Sequence, residues 1–82
     1  MAAFLRLRDN LEKWCYVWPD AVKRIEPTEV DEPYALMSRL VFDGDVGWYS
    51  IEQPAFVAYA LVKARECTDH NILTLRNGQV DE

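Results

Sequence analysis

Histidine, cysteine, glycine and proline are all scarce in this 82-residue sequence, which has one, two, three and four of them respectively. So few glycines and prolines exclude a collagen-like chain and a flexible linker. No apolar run approaches the ~20 residues that a membrane-spanning helix needs, so we expect no membrane contact. A chain of this length buries roughly 60–65% of the surface that its unfolded form exposes, and we predict one small domain over residues 1–82.

The residues that most often perform catalysis or bind metals are also missing or isolated. No G-x-S-x-G motif surrounds Ser38 or Ser50, and the glycines form no phosphate-binding loop. Cys67 and His70 have the spacing of half a zinc site, but only Cys15 offers a further sulfur ligand. We therefore predict a protein that is not an enzyme and holds neither metal nor cofactor, with a small hydrolase or metal-binding protein as an alternative.

Charged residues near the beginning of the sequence are interleaved with apolar ones, as in Arg6-Leu7-Arg8. A secretory signal instead places its basic residues ahead of an apolar stretch of roughly 7–15 residues. The pattern predicts a cytoplasmic protein. In that reducing compartment we expect Cys15 and Cys67 to be free thiols, although their spacing alone does not exclude a disulfide.

The net charge of −5 is concentrated in the middle of the sequence. Residues 26–52 contain seven Asp or Glu and one Arg, a sum of −6, whereas residues 1–25 sum to +2 and residues 53–82 to −1. A negative field of this kind repels phosphate backbones and attracts basic protein surfaces. It predicts a partner with a basic surface, unless the acidic segment only keeps the chain soluble.

The apolar residues of the first segment are spaced like one stripe of an α-helix. The gaps between them are 3, 4, 3 and 4 residues, which predicts a helix over residues 3–18 whose stripe faces the core. Pro19 disfavours helical geometry in the residue before it and fits the first turn of a second, short helix over residues 19–26. The stripe consists of Phe4, Leu7, Leu11, Trp14 and Trp18.

Arginine and lysine near tryptophan are a combination that nucleic-acid-binding proteins use, and Arg6 and Lys13 supply it here. The predicted stripe, however, places Trp14 and Trp18 in the core, and the whole chain has an acidic pI of about 4.7. We therefore expect no direct contact with nucleic acid.

A β-hairpin is predicted at about residues 39–51. Asp43 and Gly44 lie between two runs rich in strand-forming residues, which is typical of a type I′ turn with positive φ at both central positions. Gly47, inside the returning strand, indicates a bulge or a close approach of the backbone. The expected cross-strand pairs are Val41 with Val46 and Arg39 with Trp48.

The remaining segments predict a loop, a helix and a strand. An acidic loop bounded by prolines covers residues 26–33, and a helix rich in alanine covers about 54–67. Ser50 and Gln53 have the spacing of a capping box ahead of that helix, which should be the most buried one because it is apolar nearly all round. A strand follows at about 72–76. The predicted class is α+β, in the order α-α-β-β-α-β, with a three-stranded antiparallel sheet packed against helices.

Recognition of another protein is the function that the sequence favours. Trp, Tyr and Arg most often anchor protein interfaces, and several aromatic residues flank the acidic segment. We expect a non-enzymatic, inhibitor-like module that docks on a basic partner surface, including one that normally holds nucleic acid. A homodimeric accessory subunit is the alternative, so monomer and homodimer both stay open. The predicted contact residues are Glu29, Asp31, Glu32, Tyr34, Asp43, Asp45, Trp48 and Tyr49.

In size and charge the chain is similar to small acidic inhibitors encoded by phages, such as anti-CRISPR and anti-restriction proteins. The similarity implies an inhibitor that covers a basic surface of its target. It also implies that the chain acts in the cytoplasm of the phage's host.

Overall fold

The computed structural model describes residues 2–29 and 36–81, and in these residues the chain forms seven strands and one α-helix. Two short 3-10 turns, Pro19–Ala21 and Asp43–Asp45, connect neighbouring strands. The strands are β1 (Phe4–Arg8), β2 (Trp14–Val17), β3 (Arg24–Glu29), β4 (Leu36–Val41), β5 (Gly47–Ser50), β6 (Ile72–Arg76) and β7 (Gln79–Asp81), and the helix α1 is Pro54–Glu66.

The strands form two sheets. The first, called here the mixed sheet, has the order β2-β1-β6-β7, with β1 parallel to β6 and the other pairs antiparallel. The second, the antiparallel sheet, has the order β3-β4-β5. A single bridge between Asp9 and Ser50 joins the end of β1 to β5. The predicted α+β order with three helices is therefore wrong, because the chain is mostly β.

The predicted helix over residues 3–18 is instead the antiparallel hairpin β1–β2. Leu5 and Leu7 are fully buried while Phe4, Arg6 and Arg8 are more exposed, so the pattern of burial has period two. Asp9 Oδ1 accepts hydrogen bonds from the backbone N–H groups of Leu11 (2.8 Å) and Lys13 (2.9 Å), and this side-chain turn reverses the chain. Leu11, predicted to lie in the core, is 70% exposed at the turn.

The predicted short helix over residues 19–26 is also wrong. Only Pro19–Ala21 is helical, and β3 begins at Arg24. The acidic loop predicted for residues 26–33 therefore begins inside β3, and its later part lies outside the described residues. Pro27 is tolerated in β3 because this is an edge strand, where one side of the backbone needs no partner.

The predicted hairpin is found as β4–β5, with a different register. Val41 pairs with Gly47 and Arg39 with Tyr49, so the predicted pairs were shifted by one residue. The positive φ angles belong to Gly44 (76°) and Asp45 (58°) rather than to Asp43. The close backbone approach predicted at Gly47 is confirmed, since a Cβ atom there would overlap the carbonyl oxygen of Leu40. The predicted pairs of Val41 with Val46 and of Arg39 with Trp48 are wrong.

Helix α1 matches the helix predicted at 54–67 in position but not in burial. It begins at Pro54, and the side chain of the preceding residue, Gln53, makes no capping hydrogen bond. The Ser50 hydroxyl instead donates a hydrogen bond to the backbone carbonyl of Arg8. The predicted capping box is therefore wrong. Only one side of the helix faces the core. The opposite side is exposed and apolar, and it carries Phe56, Tyr59 and Val62. In the described part of the chain no helix is long and apolar enough to cross a membrane.

One core lies between the inner face of the mixed sheet, the inner face of α1 and strand β4. The strand predicted at 72–76 is β6, and the turn through Asn77 and Gly78 leads from it to β7. The outer face of the mixed sheet therefore has the core behind it and no helix in front among the described elements. The core residues are Ala3, Leu5, Leu7, Val17, Val22, Leu40, Val57, Ala60, Leu61, Ala64, Leu73 and Leu75.

Candidate functional site

Only part of the predicted acidic contact site lies in the described residues. Asp43 and Asp45 are exposed in the turn between β4 and β5. Glu29 ends β3, and its side chain is not described. The other predicted contacts in the segment, Asp31, Glu32 and Tyr34, lie outside the described residues.

The acidic charge of the antiparallel sheet is partly neutralised by its own arginines. Arg24 Nε donates to Glu26 Oε2 at 2.8 Å, and its Nη2 lies 3.4 Å from Asp45 Oδ1. Arg39 Nη1 donates to Glu26 Oε1 at 3.1 Å. Hydrogen bonds from Arg24 and then from Arg39 hold the pKa of the Glu26 carboxyl below its ordinary value. Asp43, in the turn between β4 and β5, is exposed and makes no ion pair with an arginine among the described residues.

Trp48 and Tyr49 point to opposite faces of the antiparallel sheet. Trp48 is half-buried, stacks on Phe42 with ring centres 6.4 Å apart, and packs against the core. Tyr49 is exposed and pairs with Arg39, whose Nη2 also donates to the carbonyl of Asp45. Asp43 and Asp45 thus lie in the turn that begins β5, Tyr49 lies near the other end of that strand, and Trp48 packs against the core.

A second surface stands out on the mixed sheet. Its outward side chains alternate along β1, β2 and β6 with the buried core residues. The register places Tyr16 and Thr74 on either side of Arg6, and Trp14 beside Arg8. We call this surface the aromatic–arginine face, defined by Phe4, Arg6, Arg8, Trp14, Tyr16, Trp18, Ile72, Thr74 and Arg76.

Trp14 lies at the centre of the cationic part of this face. The guanidinium carbon of Arg6 is 4.2 Å from the centre of the Trp14 ring, that of Arg76 is 5.2 Å away, and that of Arg8 is 5.8 Å away. Each of these distances is within the range of a cation–π interaction. The three arginines come from two strands, β1 and β6, and the tryptophan comes from β2, so tertiary pairing of the strands assembles the cluster.

The apolar part of the face continues the row of aromatic rings. Phe4 and Trp18 form an edge-to-face pair with ring centres 4.9 Å apart, and Ile72 pairs with Phe4 across the parallel strands. Tyr16 is 57% exposed, and Phe4, Trp14, Trp18 and Ile72 are all exposed as well. Contiguous exposed apolar surface of this kind marks interaction sites more often than scattered single residues do.

One arginine of the face is anchored by a buried carboxylate. Glu52, only 4% exposed, accepts the backbone N–H groups of Asn77 (3.1 Å) and Gly78 (3.0 Å) and lies 3.3 Å from Arg8 Nη2. Arg8 Nη2 also donates to Asn77 Oδ1 at 2.8 Å. The carboxylate therefore fixes the turn between β6 and β7 to β1, and its charge offsets that of Arg8.

Arg6 and Arg76 have no corresponding carboxylate. Among residues 2–29 and 36–81 neither makes an ion pair, and Arg6 Nε is buried without a hydrogen-bond partner. Their contacts are with the Trp14 ring. Two guanidinium groups on this face thus keep N–H donors for an anionic group of a ligand.

The Cys67–His70 pair is found beside an open groove of about 730 Å³ between the end of α1 and β7. The Cys67 thiol donates to the backbone carbonyl of His70 at 3.5 Å, so its hydrogen bond is made with the main chain. In the part of the chain that the structure describes, no three His, Cys, Asp or Glu residues are grouped to hold a metal ion.

The sequence prediction did not identify several outward-facing residues of the aromatic–arginine face, namely Phe4, Arg8, Tyr16 and Arg76. The signal was present in the alternation Leu5-Arg6-Leu7-Arg8, which has the period of a half-buried strand. The spacing of three and four residues between Phe4, Leu7, Leu11, Trp14 and Trp18 predicts a helix for the same segment.

A comparison of the chain with protein-family models, with curated proteins and with solved structures gives no match.

Proposed function

We propose that this chain is a non-enzymatic binding module that recognises a macromolecule through the aromatic–arginine face. One observation carries the proposal: exposed aromatic rings and two guanidinium groups without ion pairs among the described residues share one open sheet face. Tryptophan, tyrosine and arginine are the residues that contribute most to binding energy at interfaces. The contacts of Trp14 with the arginines and of Phe4 with Trp18 restrict these side chains before binding, which reduces the entropy lost on binding.

The acidic end of the antiparallel sheet supports a second candidate, the predicted inhibitor-like docking on a basic protein. Asp43 and Asp45 are exposed at the tip, and Val46 beside them is 67% exposed. The ion pairs of Arg24 with Glu26 and Asp45 reduce the net charge of this surface. A homodimer through the exposed side of α1, which carries Tyr59, is the third candidate.

One photo-cross-linking experiment separates the three surfaces. Benzoylphenylalanine is placed at Tyr16, Tyr59 or Val46, one position per variant, and each variant is irradiated in an extract of its source cell. We expect a discrete adduct from position 16 that disappears when Trp14→Ala and Arg76→Gln are added. An adduct only from position 46 would indicate that the acidic end of the antiparallel sheet is the binding surface. A product of twice the chain mass from position 59 would favour the homodimer.

We further propose that the chain acts in the cytoplasm. Cys15 and Cys67 are both free thiols, in line with a reducing compartment. Burial, and secondarily the negative charge of Asp9, raises the pKa of the Cys15 thiol and so disfavours its thiolate form.

A further inference from the structure

We infer that the aromatic–arginine face binds single-stranded nucleic acid, with bases stacked on its aromatic rings and phosphates paired with Arg6 and Arg76. The inference rests on the proposed function, because it names the ligand of the same face. The expectation of no nucleic-acid contact depended on a core position for Trp14 and Trp18 and on the acidic pI of the chain. Both side chains are exposed on the sheet, at 38% and 40%, so the first reason no longer applies.

Cations and rings lie side by side on neighbouring strands of the face. Arg6 pairs with Tyr16 and Arg8 with Trp14 on the neighbouring strand, while Arg76 lies 5.2 Å from the Trp14 ring. A single-stranded nucleic acid carries one phosphate and one flat base in every unit, so it offers an anion and a ring at the same repeat. An acidic peptide offers the anions without the rings, which makes it the poorer match.

The dimensions of the face suit two or three nucleotides. Adjacent strands lie ~4.8 Å apart, so the distance from β2 to β6 is about 10 Å. Trp14 and Tyr16 are alternate residues of one strand and are therefore separated by about 6.8 Å along it. Four-stranded sheets that bind single-stranded RNA stack two or three bases on exposed aromatic side chains. Duplex DNA is a poorer ligand, because its bases are stacked inside the helix.

The net charge of −5 does not describe the charge of this face. The acidic residues described in the middle of the chain, Glu26, Asp43 and Asp45, belong to the antiparallel sheet and its turn, and Glu52 is buried against Arg8. Two carboxylates lie at the margin of the face: that of Asp81, opposite Thr74 on β7, and that of Glu12, 3.5 Å from Arg8 Nη1. We therefore place the ligand on the β2-β1-β6 part of the face, where Arg6 and Arg76 supply two uncompensated charges.

The test measures the fluorescence anisotropy of a labelled oligothymidylate of about 12 nucleotides, within the site size of small single-strand-binding domains. Tyr16→Ala is compared with Tyr59→Ala, because the two tyrosines are 57% and 56% exposed on different faces. Arg76→Gln is compared with Lys63→Gln, because Lys63 Nζ lies 5.5 Å from the Tyr59 ring in a similar cation–π contact. Both members of each pair are exposed, so the folded structure should survive all four changes.

We expect the oligonucleotide to bind at low salt, with a slope of log K against log salt of about −1.4 for two phosphate contacts. Tyr16→Ala should weaken binding about tenfold, which corresponds to one lost stacking contact, and Arg76→Gln should halve the slope. The control variants should change affinity less than twofold. Absence of binding at low salt, or equal losses from Tyr16→Ala and Tyr59→Ala, would overturn the inference.

Two further ligands keep this inference distinct from the proposed function. The first is a glutamate-rich peptide of matched charge. If it binds more tightly than the oligonucleotide, and Tyr16→Ala weakens its binding, the nucleic-acid inference is overturned but the proposed binding module is retained. A matched duplex that binds as well as the single strand would show that stacking is not used and would also overturn it. If, in addition, position 16 gives no adduct in the cross-linking experiment, the proposed function of this face is also overturned.

Discussion

The guanidinium group of Arg6 lies over the ring of Trp14, 4.2 Å from its centre, although the two residues are not directly paired. Tyr16 is opposite Arg6 and Arg8 is opposite Trp14, so the contact runs diagonally between β1 and β2. This contact holds the Arg6 cation beside the exposed Trp14 ring, and Arg6 makes no ion pair with a carboxylate among the described residues. The hairpin β1–β2 thus creates the feature on which the proposed binding surface depends.

The position of the first hairpin predicts opposite outcomes for two leucines. Leu7 is fully buried, so Leu7→Ala should lower the free energy of unfolding by about 2–5 kcal/mol. Leu11 is exposed in the turn, so Leu11→Ala should change it by less than about 0.5 kcal/mol. Urea denaturation of both variants checks this, and a large loss from Leu11→Ala would restore the helical interpretation of residues 3–18.

That interpretation failed for a physical reason. The spacing of Phe4, Leu7, Leu11, Trp14 and Trp18 satisfies a helical stripe, but the same segment also contains the strand period Leu5-Arg6-Leu7-Arg8. The turn chemistry of Asp9 decides between the two, because its carboxylate accepts two backbone N–H groups, those of Leu11 and Lys13, and reverses the chain. The parallel pairing of β1 with β6 could not be predicted from local propensity, because it is a long-range contact.

The second half of the chain was easier to predict. The segments at 54–67 and 72–76 correspond to α1 and β6, and the β4–β5 hairpin overlaps the predicted range of 39–51, although β4 begins earlier, at Leu36. These elements depend on local signals, such as a leading proline for the helix and an Asp-Gly pair for the turn. The aromatic–arginine face could not be found in the same way, because it combines residues from β1, β2 and β6.

Glu52 should be a main determinant of stability. Glu52→Ala leaves the N–H groups of Asn77 and Gly78 and the charge of Arg8 without their buried acceptor, so we expect a loss of about 3–5 kcal/mol. Glu12, the other carboxylate near Arg8, is 65% exposed, and Glu12→Ala should cost less than about 1 kcal/mol. Thermal denaturation of both variants measures the difference; similar losses would contradict the buried role of Glu52.

Two glycines of the second hairpin should respond differently to the same change. Gly44 has φ of +76° and open space around its missing Cβ, so Gly44→Ala should cost about 1–2 kcal/mol through backbone strain alone. Gly47→Ala should cost about 3 kcal/mol, because the new methyl group meets the rigid carbonyl of Leu40. Chemical denaturation ranks the two variants, and a milder effect at Gly47 would contradict the close approach of β4 and β5.

Glu26 predicts part of the pH dependence of stability. Its pKa is lowered by hydrogen bonds from Arg24 and Arg39, so its stabilising contribution is present above the unfolded pKa and is lost as the pH falls through the folded pKa. Glu26→Gln should therefore lose less stability than the unmodified chain when the pH falls from about 6 to about 3. Melting temperatures at the two pH values test this, and an unchanged difference would show that the Arg24–Glu26–Arg39 contacts do not stabilise the fold.

The exposure of Trp14 and Trp18 is the claim on which the binding surface depends most directly. Three variants, each with a single tryptophan retained and the others changed to Phe, allow acrylamide quenching of each ring to be measured separately. The structure places Trp14 and Trp18 on the open sheet face and Trp48 against Phe42 and the core. We therefore expect red-shifted emission and strong quenching for Trp14 and Trp18, and weaker quenching for Trp48. Quenching of Trp14 and Trp18 as weak as that of Trp48 would place them in the core and contradict the account.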